Sequence, residues 1–247
     1  MQSISDNNPS HAGEIFAVSL GRTQYTTAWD LQKKVFEARS TQKIPNVLLL
    51  TEHEHVYTLG KSADSNHLLS SDRELAEKGV EIFAIDRGGD ITYHGPGQLV
   101  GYPIFDLRGF GLNIHSYLRC LEELLIRTLG DYDIEATRDP QFTGVWVRNE
   151  KIAAIGIRVS RSTTMHGFAL NVNTDLSYFD RIIPCGIFHK GVTSIQRQSG
   201  QITPIYQIES SIIQHASSVL GAKVTVIEKD ALMDMLDASE IEEFNVA

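Results

Sequence analysis

The sequence predicts an α/β protein of the α+β kind, with a mixed, mostly antiparallel sheet and flanking helices. Three observations predict it. Strand-like apolar runs fall in adjacent pairs, as at 46–60 and 142–160, with only polar turns between them. Helical periodicity is confined to a few long stretches that separate other strands. The chain also has 247 residues with 42% hydrophobic content, enough for one sizeable core.

Taken in order, residues 1–12 read as a disordered tail and 13–247 as a single catalytic domain. Residues 14–20 (EIFAVSL) form a strand and 25–40 an amphipathic helix. NVLLLTE and HVYTLG are strands split by the polar turn Glu52–Glu54. Residues 70–79 open a helix at Ser and Asp caps and stop it at Gly79. VEIFAID and QLVGYPIFDL are the next strands. In 113–130, Ile114, Tyr117, Leu118, Leu121, Leu124, Leu125 and Leu129 recur at the spacing of one buried stripe. Cys120 lies beside that stripe, as a small hydrophobe at the core's edge would. FTGVWV and KIAAIGIRVS read as a hairpin through Arg148–Asn149–Glu150, and TTMHGFALNVN as another strand. A helix over 205–220 ends at Gly221; AKVTVIE and a short helix at 230–237 close the chain.

Composition removes several functions. A formal net charge of −9 argues against a general nucleic-acid binder. No run approaches the roughly 18 apolar residues of a membrane span. The first residues carry neither the basic nor the apolar part of a signal peptide. Two distant cysteines point to a reducing, cytoplasmic setting rather than a disulfide scaffold. Without CxxC or HExxH spacing, no metal site is expected.

Three stretches can carry chemistry. RGGDITYHGPGQLVGYPIFDL is rich in glycine, which lets backbone approach a ligand closely, and it lacks the spacing of a phosphate loop. It is either a ligand-lining loop or an elaborate connection between strands. In NEKIAAIGIRVS, strict alternation puts Lys151, Ala153, Ile155 and Ile157 on one face and Ile152, Ala154 and Gly156 on the other. Lys151 is then either a solvated residue at the hairpin end or a partly desolvated amine able to move a proton. In RIIPCGIFHKGVTS, Cys185 stands between Pro184 and Gly186, with His189 and Lys190 behind it. It is either a buried structural thiol or a nucleophile with open backbone amides beside it. His94 and His166 are candidates for the same site; His53, His55 and His67 are weaker ones.

In sequence order, HVYTLGKSAD, RGGDITYHGPGQLVGYPIFDL, TGVWV…KIAAIGIRV and HGFALNVNTDLSYFDRIIPCGI resemble the octanoyl-ACP:protein N-octanoyltransferases, the lipoyl(octanoyl) transferase family. The resemblance covers well over half the chain. It implies the fold of the biotin/lipoate protein ligase catalytic domain. It implies transfer of an octanoyl group from acyl carrier protein to a lysine of lipoyl domains, in E2 subunits of 2-oxoacid dehydrogenases and the glycine cleavage H protein. It carries the nucleophile, as an acyl-thioester intermediate, to Cys185 and the proton-moving lysine to Lys151. The substrate strips fall on Arg87–Gly88–Gly89–Asp90–Ile91–Thr92–Tyr93–His94, on Ala154–Ile155–Gly156 and on Gly167–Phe168–Ala169. Within the first strip, Asp90 sits at a variable place and is expected not to matter. No cofactor is implied. An acidic chain serving an acidic carrier calls for a local basic cluster, expected from Arg148, Lys151, Arg158, Arg161, Lys190 and Arg197.

Overall fold

The computed structural model describes residues 13–183 and 190–244. The tail 1–12 and Cys185 itself lie outside the described residues. The chain runs β1 (Glu14–Thr23), α1 (Tyr25–Ser40), β2 (Asn46–His53), β3 (Val56–Leu59), α2 (Asp72–Glu77), β4 (Glu81–Ala84), β5 (Ile91–His94) and β6 (Gln98–Ile104). It continues through α3 (Ile114–Gly130), β7 (Thr137–Arg138), β8 (Val145–Val147), β9 (Glu150–Ser160) and β10 (Thr163–Asn171). After β11 (Gly191–Val192) come α4 (Ile195–Ser199), α5 (Ile205–Leu220), β12 (Lys223–Val226) and α6 (Lys229–Phe244).

Among the described residues these strands build two sheets. The large one has the order β12-β1-β2-β6-β10-β9-β8-β7, with β11 added beside β9. The small one has the order β4-β3-β5. Pairing is parallel at β12/β1, β1/β2, β11/β9 and β4/β3 and antiparallel elsewhere. The mixed, mostly antiparallel sheet is as the sequence predicts.

The large sheet buries both faces. On one, Leu48, Leu99, Phe168 and Leu170 pack with the α3 and α5 stripes. On the other, Val47, Leu49, Val100, Tyr102 and Ala169 meet α1 and α6. α3 starts where Asn113 Oδ1 accepts from Ser116 N at 2.9 Å while Ser116 Oγ accepts from Asn113 N at 3.0 Å. Its stripe is narrower than the periodicity predicts: Ile114 is exposed and Leu118 half-buried. α5 ends at Gly221 in the left-handed region (φ 63°), the conformation only glycine adopts cheaply.

Five elements differ from the sequence reading: the short β7, β11 and α4 are absent from it, and β5 and α6 differ as well. β5 lies inside the glycine-rich stretch read as a loop; four residues carry too short a period, and pairing with β3 supplies the order. α6 runs to Phe244, beyond the expected end near 237.

Strand spacing between β6 and β10 rests on glycine. A Cβ on Gly101 would lie 2.2 Å from the Phe168 ring, and one on Gly167 would lie 2.2 Å from Gly101 O. Gly101→Ala is therefore expected to lower stability by about 1–3 kcal/mol through overpacking, read as a lower urea midpoint at an unchanged m-value.

Candidate active site

A cavity of about 350 Å³ opens on the α1 side of the large sheet, under the small sheet. Its floor follows from strand register. Ala154 pairs with Ala169, and Ala169 with Val100; Gly156 pairs with Gly167. These small side chains leave the space. Tyr25, Ile85, Tyr102 and Phe142 add apolar wall.

Lys151 lines the same cavity because of a register shift. Trp146 opposes Lys151, but Val145 opposes Ala153. Ile152 is the extra residue, and both Ile152 and Ala153 pack into the α3/α5 core. The alternation thus reverses at 152–153. The sequence reading grouped Lys151 with Ala153, Ile155 and Ile157. The structure turns it to the cavity face, with Ala154 and Gly156. Its stem passes Gly144, where an added Cβ would lie 3.4 Å from Lys151 Cε. Its Nζ stands 4.8 Å from the Trp146 ring centroid. β11 pairs with β9 at this point, and Thr193 N donates to Lys151 O at 3.0 Å.

The strip 87–94 forms the opposite wall. Gly88 N donates to Ile157 O at 2.9 Å, and a Cβ on Gly156 would meet Gly88 O at 3.0 Å and Arg87 Cδ at 3.1 Å. The loop can lie on β9 only because residue 156 has no side chain. Arg87 is buried; its Nη2 donates to Thr58 O at 2.6 Å and its Nη1 to Gly88 O at 3.1 Å. Asp90 contributes more than the sequence reading allowed. It accepts from Ile91 N at 2.7 Å and from His67 Nδ1 at 2.5 Å, which fastens the loop to residues 64–67. Gly88, Gly89, Asp90, Ile91, Thr92 and His94 border the cavity. Tyr93 does not: it points into the small-sheet core, stacked on Tyr178 at 4.7 Å with its hydroxyl 2.7 Å from His55 Nδ1. Phe168 borders the cavity, but its ring packs in the α3/α5 core.

His94 is oriented by a relay. Gln98 Nε2 donates to Asn171 Oδ1 at 2.9 Å and to Tyr93 O at 3.1 Å, so Gln98 Oε1 accepts from His94 Nδ1 at 2.8 Å. Asn171 Nδ2 in turn donates to Thr193 O at 3.0 Å. With its proton on Nδ1, His94 presents Nε2 as an acceptor. Burial pushes its pKa down to about 3 and that of His53 down to about 4. His166 closes the opposite part of the wall. It holds φ 60°, unusual for a strand residue, and its Nε2 is 2.8 Å from Asp86 Oδ1. Burial lowers its pKa against the pull of Asp86. Burial would raise Asp86, yet His166 and Arg158 outweigh it and hold the carboxyl below its ordinary range.

The expected basic cluster is largely neutralised. Arg158 pairs with Asp86, Arg161 with Glu37, Lys190 with Asp139 and Arg197 with Glu150. Sequence reasoning missed Trp146, Asn171 and Asp86; only the tertiary pairing reveals them.

The buried neutral histidines make stability depend on pH. A histidine whose folded pKa is depressed to about 3 binds its proton more readily when unfolded, so stability is full above about pH 6.5 and falls as pH drops below it. Between pH 7.5 and pH 5, His94 contributes a loss of about 2 kcal/mol. His94→Gln is expected to reduce the pH dependence by that amount, measured by urea denaturation at both pH values.

Comparison with known proteins gives one family. Residues 24–217 match the family described as lipoyl protein ligase A/B catalytic domain. An octanoyltransferase of Rubrobacter xylanophilus is 50% identical over 203 residues, covering 81% of this chain and 91% of its own. One of Flavobacterium johnsoniae is 47% identical over 222 residues, covering 83% and 96%. Among solved structures, a bi-partite lipoate protein ligase from Thermoplasma acidophilum superposes with a TM-score of 0.69 at 15% identity, covering 94% of this chain and 92% of that one. A lipoate-protein ligase A bound with ATP gives 0.66 at 15% identity, covering 94% of each chain. These likenesses establish the biotin/lipoate ligase catalytic fold, and the high-identity relatives add the finer assignment: the chain belongs to the octanoyltransferases of the lipoyl protein ligase A/B catalytic-domain family.

Proposed function

We propose that this octanoyltransferase moves an octanoyl group from the phosphopantetheine thioester of acyl carrier protein to a lysine amine of lipoyl domains, through an acyl thioester on Cys185. The acceptors are E2 subunits and the glycine cleavage H protein. The observation that carries the reading is Lys151 on the wall of an apolar cavity floored by Ala154, Gly156, Gly167 and Ala169. The resemblance of the PCGI stretch to the family's motif supports Cys185 as its partner.

In the first step Lys151 takes the thiol proton and Sγ attacks the donor carbonyl carbon. The donor C–S bond breaks, and the carrier sulfur recovers the proton from Lys151. In the second step the acceptor amine attacks the Cys185 thioester. The C–N bond forms, the C–Sγ bond breaks, and Lys151 accepts the amine proton and returns it to Sγ. Exchange between thioesters is nearly neutral and amide formation runs downhill, so no nucleotide is consumed. A thiol kept reduced fits a cytoplasmic setting. The six methylenes of the chain, at about 0.8 kcal/mol each, give roughly 5 kcal/mol of binding in the cavity. The 87–94 wall and the backbone it exposes would hold the chain in line with the sulfur.

Incubation with octanoyl-acyl carrier protein is expected to add one octanoyl mass at Cys185, located by peptide mapping. A label on Cys120, or no label, would sink the reading. Lys151→Met is expected to slow that labelling by about a hundredfold or more. Ala154→Phe fills the floor; it should cut octanoyl transfer about tenfold or more while a butyryl donor loses less. Equal losses for both chain lengths would remove the cavity from the acyl site.

A further inference from the structure

The Trp146 indole carries two lysine amino groups. Lys151 Nζ lies 4.8 Å from its ring centroid and Lys190 Nζ 4.5 Å. The ring is buried, and its Nε1–H donates to Phe142 O at 3.1 Å, which fixes its plane. Lys151 reaches the ring as its direct cross-strand partner. Lys190 reaches it from the start of β11, which pairs beside Glu150 and Lys151, and is held there by Asp139 and by the Phe142 ring at 5.2 Å. Asp139 Oδ1 also accepts from Gln141 N at 2.8 Å and from Phe142 N at 3.1 Å, so the seat under Lys190 is a closed turn. Packing alone does not call for this arrangement. Long, strongly hydrated lysine side chains ordinarily run out to water. Here two of them converge on one ring, and they belong to different parts of the chain. Lys151 lies on β9. Lys190 precedes β11 and follows Cys185 by five residues.

We propose that Trp146 is a positioning residue: together with Lys190 and Asp139 it fixes where Lys151 Nζ sits on the cavity wall, and so sets how well Lys151 serves as proton acceptor. This rests on the Cys185–Lys151 pairing proposed above. Trp146 takes no proton and touches no reacting atom; it acts through the two lysines.

The test is the rate at which iodoacetamide alkylates Cys185 at pH 7, followed by peptide mass, alongside the rate of octanoyl-enzyme formation at saturating donor. Trp146→Leu and Lys190→Met are expected to slow both rates by about tenfold to a hundredfold. The KM for the carrier and the alkylation of Cys120 should stay as in the parent protein. Trp146→Phe, which keeps a ring face, should restore most of the loss. Lys151→Met separates the two ideas. If it slows alkylation while Trp146→Leu and Lys190→Met do not, the anchor is wrong and the pairing stands. If it leaves alkylation at the parent rate, the pairing itself fails. Should Trp146→Leu not fold, by circular dichroism, Lys190→Met and Trp146→Phe decide: a normal rate in Lys190→Met overturns the anchor.

Discussion

The site depends on one extra residue in one strand. Between β8 and β9 the ladder carries Ile152 without a partner of its own. A strand side chain has two faces to choose from, and a single inserted residue exchanges them. Without the shift, Lys151 would enter the α3/α5 core beside Ala153 and Val145, where a charged amine would be costly, and Ile152 would leave it. With it, the same backbone keeps Ile152 and Ala153 in the core and delivers Lys151 to the cavity. The lysine's surroundings then follow from register: Trp146 across the strand, Gly144 making room for its stem, and β11 alongside.

Glycines supply the second constraint. The 87–94 wall and β9 approach so closely that neither Gly156 nor Gly88 has room for a side chain without displacing backbone. Gly60 is squeezed in the same way, since its Cβ would fall 2.3 Å from Gly89 O. Arg87 converts this close approach into a fixed geometry. Its guanidinium lines the cavity and donates to Thr58 O, Thr58 Oγ1 and Gly88 O. The wall's buried cation is thus held by backbone carbonyls and a threonine hydroxyl.

The fold was largely legible from sequence because its helices are long and periodic. The bounds of α1 and α5 could be read almost to the residue; Gly221 ends α5, although neither helix has a side-chain N-cap. The site was legible only as segments. Arg87–His94, Ala154–Gly156 and Gly167–Ala169 do converge, but the direction of each side chain was not readable. Tyr93 alternates away from the cavity because β5 pairs with β3, a pairing of four residues that no local pattern announces. Phe168 faces the other layer because its pair mates on both sides are set by strand register. Lys151 was placed on the wrong face because a one-residue bulge leaves no signature in composition. Asp90 was dismissed because its role, holding His67 and the Ile91 amide, is made entirely of tertiary contacts.

Charge around the site obeys the same economy. Inside, burial lowers the pKa of His53, His94 and His166 and favours their neutral forms beside the space where an acyl chain would lie. Outside, Arg158, Arg161 and Arg197 already have carboxylate partners. On the proposed reading, an acidic carrier would exchange with those carboxylates rather than meet bare positive charge. Exchange between two exposed ion pairs gains little, of the order of 0–1 kcal/mol. Burial of the acyl chain, at roughly 5 kcal/mol, outweighs it. On that comparison the proposed cargo, more than the surface of its carrier, would determine the affinity of the complex. The surface charges would then serve mainly to orient the donor, which is the role left to them when their net attraction is small.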